Sequence, residues 1–234
     1  MMKKFMLMIV VAAMVLPVQA RFLYITRHGQ SAFKEYFDQE INDYTLTPLG
    51  REQATLLGQY LKDVCKFNGT ILASPFLRTV ETAVIAASAL DKKVILEPGL
   101  QEVNTGDNRH CISFQDIEKR FPGKTVAGKN LVPPWRVVNE NPQIWARRYV
   151  RELDKILKEN PGDLLLVTHA GGVGSLAPEL FKRANLPMSG LALNCTLFVF
   201  ELDENDRPVA GKYIDSYIPK EKITDNRGYL IPRK

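Results

Sequence analysis

Short β-rich apolar runs alternate with helical patterns from Phe22 to Ile214, and this alternation restricts the fold more than any other feature of the chain. The runs are Phe22 to Thr26, Thr70 to Ala73, Lys93 to Leu96, Leu164 to Thr168 and Thr196 to Leu202. A turn at Glu204 to Arg207 returns the last of them as a hairpin through Val209 to Ile214. Between the first two runs, Thr47-Pro48 pairs an N-cap with proline at the first helical position, and Ala54, Leu57, Leu61 and Val64 then repeat on one face. Ser74-Pro75 gives the same start signal ahead of Leu77, Val80, Val84 and Ala87. A third helix, Pro142 to Lys158, is expected to bury Trp145, Tyr149, Leu153 and Ile156. Strands that alternate with helices form a mostly parallel sheet covered on both faces. The expected fold is therefore α/β in three layers. The weakly periodic stretch Gly99 to Asn141 is expected to form a loop or helical insertion over the site.

In an open sheet of this kind, ligands bind beyond the carboxyl ends of the strands. The first run ends in Arg27-His28-Gly29, the second in Ser74-Pro75 with Arg78 close behind, and the fourth in His169-Ala170-Gly171-Gly172. Glu102 follows the third run within a few residues. Two of the three histidines in the chain thus stand immediately after strands, beside two arginines and a carboxylate. Two histidines and a carboxylate could ligate a metal, but two arginines aimed at the same volume would repel a divalent cation. They favour an anion, and the guanidinium fork matches phosphate oxygens. Helix N-termini after Ser74 and near Gly171-Gly172 would add oriented N–H groups.

The segment Arg27-His28-Gly29-Gln30-Ser31 resembles the signature of the histidine phosphatase superfamily, which includes the cofactor-dependent phosphoglycerate mutases. Four further segments follow in the family's order: Leu46 to Ala54, Ala73-Ser74-Pro75 with Arg78 and Thr82-Ala83, Leu100-Gln101-Glu102 with Gly106, and Val167 to Gly172. The resemblance implies that residues 21–234 form one catalytic domain that needs no metal or other cofactor and acts on a small phosphorylated substrate. It implies His28 as the nucleophile that becomes phosphorylated and Glu102 as the general acid. His169, Arg27 and Arg78 would hold the phosphoryl oxygens, with Gln30, Ser31 and Lys34 as further substrate contacts. Arg109 and His110 would join Lys34 at the mouth. Phe33 and Lys34 stand where mutases usually carry Trp and Asn, and the stretch from Glu102 to His169 is short for that group. Both departures favour a phosphatase over a mutase-like phosphotransferase, and the full set of five polar residues disfavours a non-catalytic phospho-ligand domain.

The first 20 residues read as an address. Met1 to Lys4 carries two lysines, Phe5 to Leu16 is uncharged and apolar, and Val18-Gln19-Ala20 is a small-x-small cleavage pattern, which makes 1–20 a signal peptide. Twelve residues rise only about 18 Å as a helix, too little for a bilayer core of roughly 30 Å. The expected destination is the periplasm or the exterior, with no stable membrane insertion after cleavage. Sixteen apolar residues leave with that segment, and so do Lys3 and Lys4, which lowers the net charge from +5 to +3. A mildly basic chain whose cationic tail is interrupted by Glu221 and Asp225 gives no nucleic-acid footprint. Cys65, Cys111 and Cys195 are too widely spaced for a metal motif, and they allow at most one internal disulfide. Asn68-Gly69-Thr70 and Asn194-Cys195-Thr196 match the glycosylation sequon.

Overall fold

The computed structural model describes residues 20–31, 34–40, 43–102, 113–129 and 141–224. In chain order its strands are β1 (Arg21–Arg27), β2 (Phe37–Asp38), β3 (Asp43–Tyr44), β4 (Thr70–Ala73), β5 (Val94–Leu96), β6 (Thr125–Ala127), β7 (Leu164–Thr168), β8 (Leu197–Leu202) and β9 (Pro208–Ile214). The helices are α1 (Pro48–Asp63), α2 (Leu77–Ser88), α3 (Phe114–Arg120), α4 (Pro142–Glu159) and α5 (Ala170–Arg183). The main sheet runs β6-β5-β4-β7-β1-β8-β9, and β2 pairs with β3 apart from it. Its strands are parallel from β6 through β1, while β8 and β9 are antiparallel.

Side chains alternate across the sheet with period two, so each strand feeds two cores. Leu23 and Ile25 of β1, Leu164 and Leu166 of β7, and Phe198 and Phe200 of β8 face α4 and α5. Tyr24, Leu165, Val167, Leu197 and Val199 face α1, α2 and α3 on the other side. This is why β7 reads as a continuous apolar run: all five of its residues are buried. The three-layer, mostly parallel architecture expected from the sequence is the one observed.

Local details depart from expectation at three places. Helix α1 ends at Asp63, and Val64 is its exposed C-cap rather than a fourth core residue. Helix α2 starts at Leu77, with Phe76 at the N-cap and no side-chain cap of its own, so Ser74-Pro75 belongs to the preceding turn. Within the stretch from Gly99 to Asn141, the described part forms α3 and the parallel edge strand β6. The rest of that stretch, 103–112 and 130–140, lies outside the described residues. No helix among the described residues is long and apolar enough to cross a membrane. Asn194 is buried at 1% exposure, so its sequon offers no acceptor, whereas Asn68 is exposed. Cys65 and Cys195 are both free thiols, and Cys111 lies outside the described residues.

Candidate active site

Parallel strands in register deliver their next residues to one edge. Arg27 pairs with Thr168, and Val167 pairs with Ala73. The ladder then continues one step past the strands: His28 N–H donates to Thr168 O at 3.0 Å and Ser74 N–H to Val167 O at 3.0 Å. His28, Ser74 and His169 therefore emerge side by side. The two imidazole rings lie 5.3 Å apart, and the His169 ring also meets Phe76 at 5.1 Å. Sequence reasoning placed both histidines at the strand ends, and the fold brings them together.

The hydrogen bonds around His28 fix its tautomer. Arg78 Nε–H lies 3.2 Å from His28 Nε2, and a guanidinium can only donate, so Nε2 must carry the lone pair. The proton sits on Nδ1, which donates to Gly29 O at 2.7 Å. Burial at 5% exposure, followed by the positive charges of Arg78 and Arg27, holds His28 well below the usual histidine range. An unprotonated ring nitrogen thus faces two cations at the sheet edge. Arg27 itself is buried and donates from Nη1 to Ala192 O at 3.3 Å.

Arg78 is held from its other side by a residue that sequence reasoning missed. Asp43, wholly buried in the small β2–β3 pair, accepts from Arg78 Nη1 at 3.2 Å. The same carboxylate accepts from Leu77 N–H and from Tyr44 N–H. It therefore caps α2, the helix N-terminus that was expected to stay open for a phosphate. A lone aspartate in a polar stretch carries no local signal, because its meaning depends on β3 packing against α2.

His169 Nε2 and Ser74 Oγ are hydrogen-bonded at 2.8 Å. His169 is also the N-cap residue of α5, so the second expected helix N-terminus does open at this edge. Glu102 is half-buried just beyond β5. The chain ahead of it is pinned by Arg148, which donates to Gly99 O at 2.7 Å and to Gln101 O at 3.1 Å, and by Tyr149 Oη–H, which donates to Gln101 O. Thr168 Oγ–H adds a bond to Leu100 O at 2.8 Å. Burial, and then the nearby negative charge of Glu102, raises the Tyr149 phenol above its ordinary range.

The loop after His28 is held by backbone contact and by a buried polar chain. Gln30 Oε1 accepts from Thr47 Oγ–H at 2.6 Å, and Gln30 N–H donates to Gln53 Oε1 at 3.0 Å. Gln53 then reaches Lys222 O at 2.7 Å, Thr224 Oγ–H donates to Asn194 Oδ1 at 2.7 Å, and Asn194 Nδ2–H donates back to His28 O at 2.7 Å. Gln30 is thereby engaged with α1. Ser31 is buried beside it at 6% exposure. Lys34 opens a single 3-10 turn, Lys34–Tyr36. Arg109 and His110 lie outside the described residues. Among the described residues, no group of three or more histidine, cysteine or carboxylate side chains could hold a metal ion.

Comparison with known proteins identifies the family and the fold. A model of the histidine phosphatase superfamily (branch 1) matches residues 23–213. A curated protein from Yersinia pestis, "Probable phosphoglycerate mutase GpmB", is 28% identical over 201 residues, covering 83% of this chain and 91% of its own. Among solved structures, Bacillus stearothermophilus YhfR superposes with a TM-score of 0.59 at 24% identity, covering 85% of this chain and 99% of its own. Phosphoserine phosphatase from Entamoeba histolytica, solved with 3-phosphoglyceric acid, gives a TM-score of 0.56 at 20% identity, covering 85% and 99% respectively. At those identities the two structures speak for the fold.

Proposed function

The chain belongs to the histidine phosphatase superfamily, and on that premise we propose that it is an exported phosphomonoesterase working through a phosphohistidine on His28. One observation carries the reading: Arg78 donates to His28 Nε2, which leaves a neutral nucleophile with its lone pair directed at the cationic edge. Nε2 attacks phosphorus as the P–O bond to the leaving alcohol breaks. Glu102 supplies the proton that the leaving oxygen takes up. Arg27, Arg78 and His169 stabilise the charge spread over the equatorial oxygens. Glu102, now ionised, removes a proton from water as that water attacks the phosphohistidine, releasing phosphate and restoring His28. Positioned proton transfer of this kind contributes about 10²–10⁴ in rate. The test is release of inorganic phosphate over a panel of phosphate esters by the protein starting at Arg21.

The similarity to a probable phosphoglycerate mutase favours a second reading, in which phosphate moves between substrates without release. It needs a bisphosphate primer, so primer-dependent transfer without phosphate release would select it. Export rests on the three-part pattern of residues 1–20 and on β1 opening at Arg21, so that cleavage after Ala20 leaves every described element intact. Mass spectrometry of protein recovered outside the cytoplasm should find Arg21 at its N-terminus. Full-length protein confined to the cytoplasm would sink that part of the reading.

The pH profile follows from His28. The ring must be unprotonated to attack, and burial with two arginines lowers its pKa well below the ordinary 6.5. The acid limb of kcat/KM, which reports the free enzyme, is therefore expected well below pH 6.5. Substituting Arg78→Ala removes the larger of the two charge effects and should move that limb upward. A limb that stays in place in the variant would contradict the assignment.

A further inference from the structure

We propose that Asp43 is a positioning residue for the proposed phosphoryl transfer, acting through Arg78 by fixing its guanidinium against His28. The inference rests on the phosphohistidine reading and adds a residue to it. Its basis is geometric. Asp43 is wholly buried, and burying a carboxylate is costly unless every lone pair is engaged. Here it accepts from Arg78 Nη1 at 3.2 Å, from Leu77 N–H and from Tyr44 N–H at 2.7 Å. It thus ties the first turn of α2 and the Arg78 side chain to β3 as one unit.

The guanidinium is held by two partners at different nitrogens. Nη1 goes to Asp43, Nε goes to His28 Nε2, and the face of the group packs 5.1 Å from the Phe76 ring. Three contacts in different directions fix a planar fork in both position and rotation. An unanchored arginine in the same place would lose several rotamers on binding an oxyanion, whereas the anchored one has lost them on folding.

The carboxyl itself titrates in an accessible range. Burial raises it, against the lowering effects of Arg78 and its backbone donors, to about 6. The groups that face it are Arg78 on α2, with His28 behind it just past β1, and Tyr44 and Asp38 on the β2–β3 pair. Asp38 is turned to Arg120 of α3.

The test is a double-mutant cycle read by kcat/KM at pH 7.5 and by vanadate affinity in calorimetry. Asp43→Asn keeps the shape and one acceptor but removes the charge. It should lower kcat/KM about 10- to 100-fold, the size of a lost charge-assisted hydrogen bond. The same substitution in an Arg78→Ala background should change it less than about twofold. Below pH 6 the wild-type carboxyl is itself protonated, so the deficit of Asp43→Asn should shrink there. Equal losses in both backgrounds, or a deficit independent of pH, would mean that Asp43 merely supports the fold, and the inference falls. Should Asp43→Asn not fold, Asp43→Ser retains an oxygen for Leu77 N–H and takes its place. Independently, carbon-detected NMR of Asp43 in Arg78→Ala should show its pKa raised by about one unit or more, and an unmoved value overturns the inference. If the wild type releases no phosphate yet binds vanadate, and Asp43→Asn weakens that binding only when Arg78 is present, the proposed hydrolysis fails and the positioning role stands. A wild type that binds no vanadate overturns both.

Discussion

His28→Ala is expected to lose at least about 10³-fold in kcat, because it removes the atom to which phosphorus becomes bonded. His28 Nε2 is the acceptor of the Arg78 hydrogen bond, and the substitution removes it. His169 stands 5.3 Å away ring to ring, but its Nε2 is engaged with Ser74 Oγ. Binding should suffer far less than turnover. Arg27, Arg78 and His169 remain in the variant, so affinity for inorganic phosphate should stay within about tenfold of wild type. Trapping with radiolabelled substrate gives the third readout: wild type should carry acid-labile, alkali-stable label, and the variant none. Turnover within tenfold of wild type in His28→Ala would end the phosphohistidine reading. A parallel collapse of turnover and inorganic phosphate binding would instead report damage to the pocket.

The two histidines were legible in the sequence for a physical reason. A residue directly after a buried parallel strand has its position set by ladder hydrogen bonds, as His28 N–H to Thr168 O and Ser74 N–H to Val167 O demonstrate. Strand runs are short and apolar, so their ends can be read closely, and the polar residue that follows each can be placed. Asp43 could not be read this way. It lies in a pair of two-residue strands, and what gives it meaning is packing against a helix 34 positions along the chain. Asn194 was visible only as part of a sequon, yet it is the donor to His28 O and the acceptor from Thr224. Ser74 was read as a helix cap from its proline neighbour. The helix waits until Leu77 because Asp43, from another element, supplies the cap. Residues whose role is set by local periodicity or strand register were found. Those whose role is set by contacts between distant segments were not.

Gly50→Ala should cost the largest share of stability of any single methyl added near the site. At an ordinary helical position, Ala is favoured over Gly by about 1 kcal/mol. Gly174 is such a position: it lies exposed in α5, and a Cβ there would meet nothing within 4 Å. Gly174→Ala should therefore raise Tm slightly and leave kcat unchanged. At Gly50 the same carbon would sit 2.3 Å from Gln30 O and 2.8 Å from Gln30 N, both backbone atoms with no rotamer to escape into. The contact is reciprocal, since a Cβ on Gly29 would lie 2.5 Å from Gly50 O. The clash outweighs the propensity gain, because relief requires α1 to move away from the loop that follows His28. Overpacking of this kind costs about 3 kcal/mol, and at this chain length about 6–12 °C in Tm. The displacement would also strain the Thr47 N–H to Gln30 O bond of 2.9 Å and the Gln30 to Gln53 link. Only Gly29 separates Gln30 from His28, whose N–H makes the ladder bond, so kcat should fall tenfold or more while the enzyme is still folded. Measured together by calorimetry and initial rates, the two glycine variants should move Tm in opposite directions. If Gly50→Ala matched Gly174→Ala in both readouts, the backbone contact at Gly29 and Gly50 would not be what fixes the nucleophile loop.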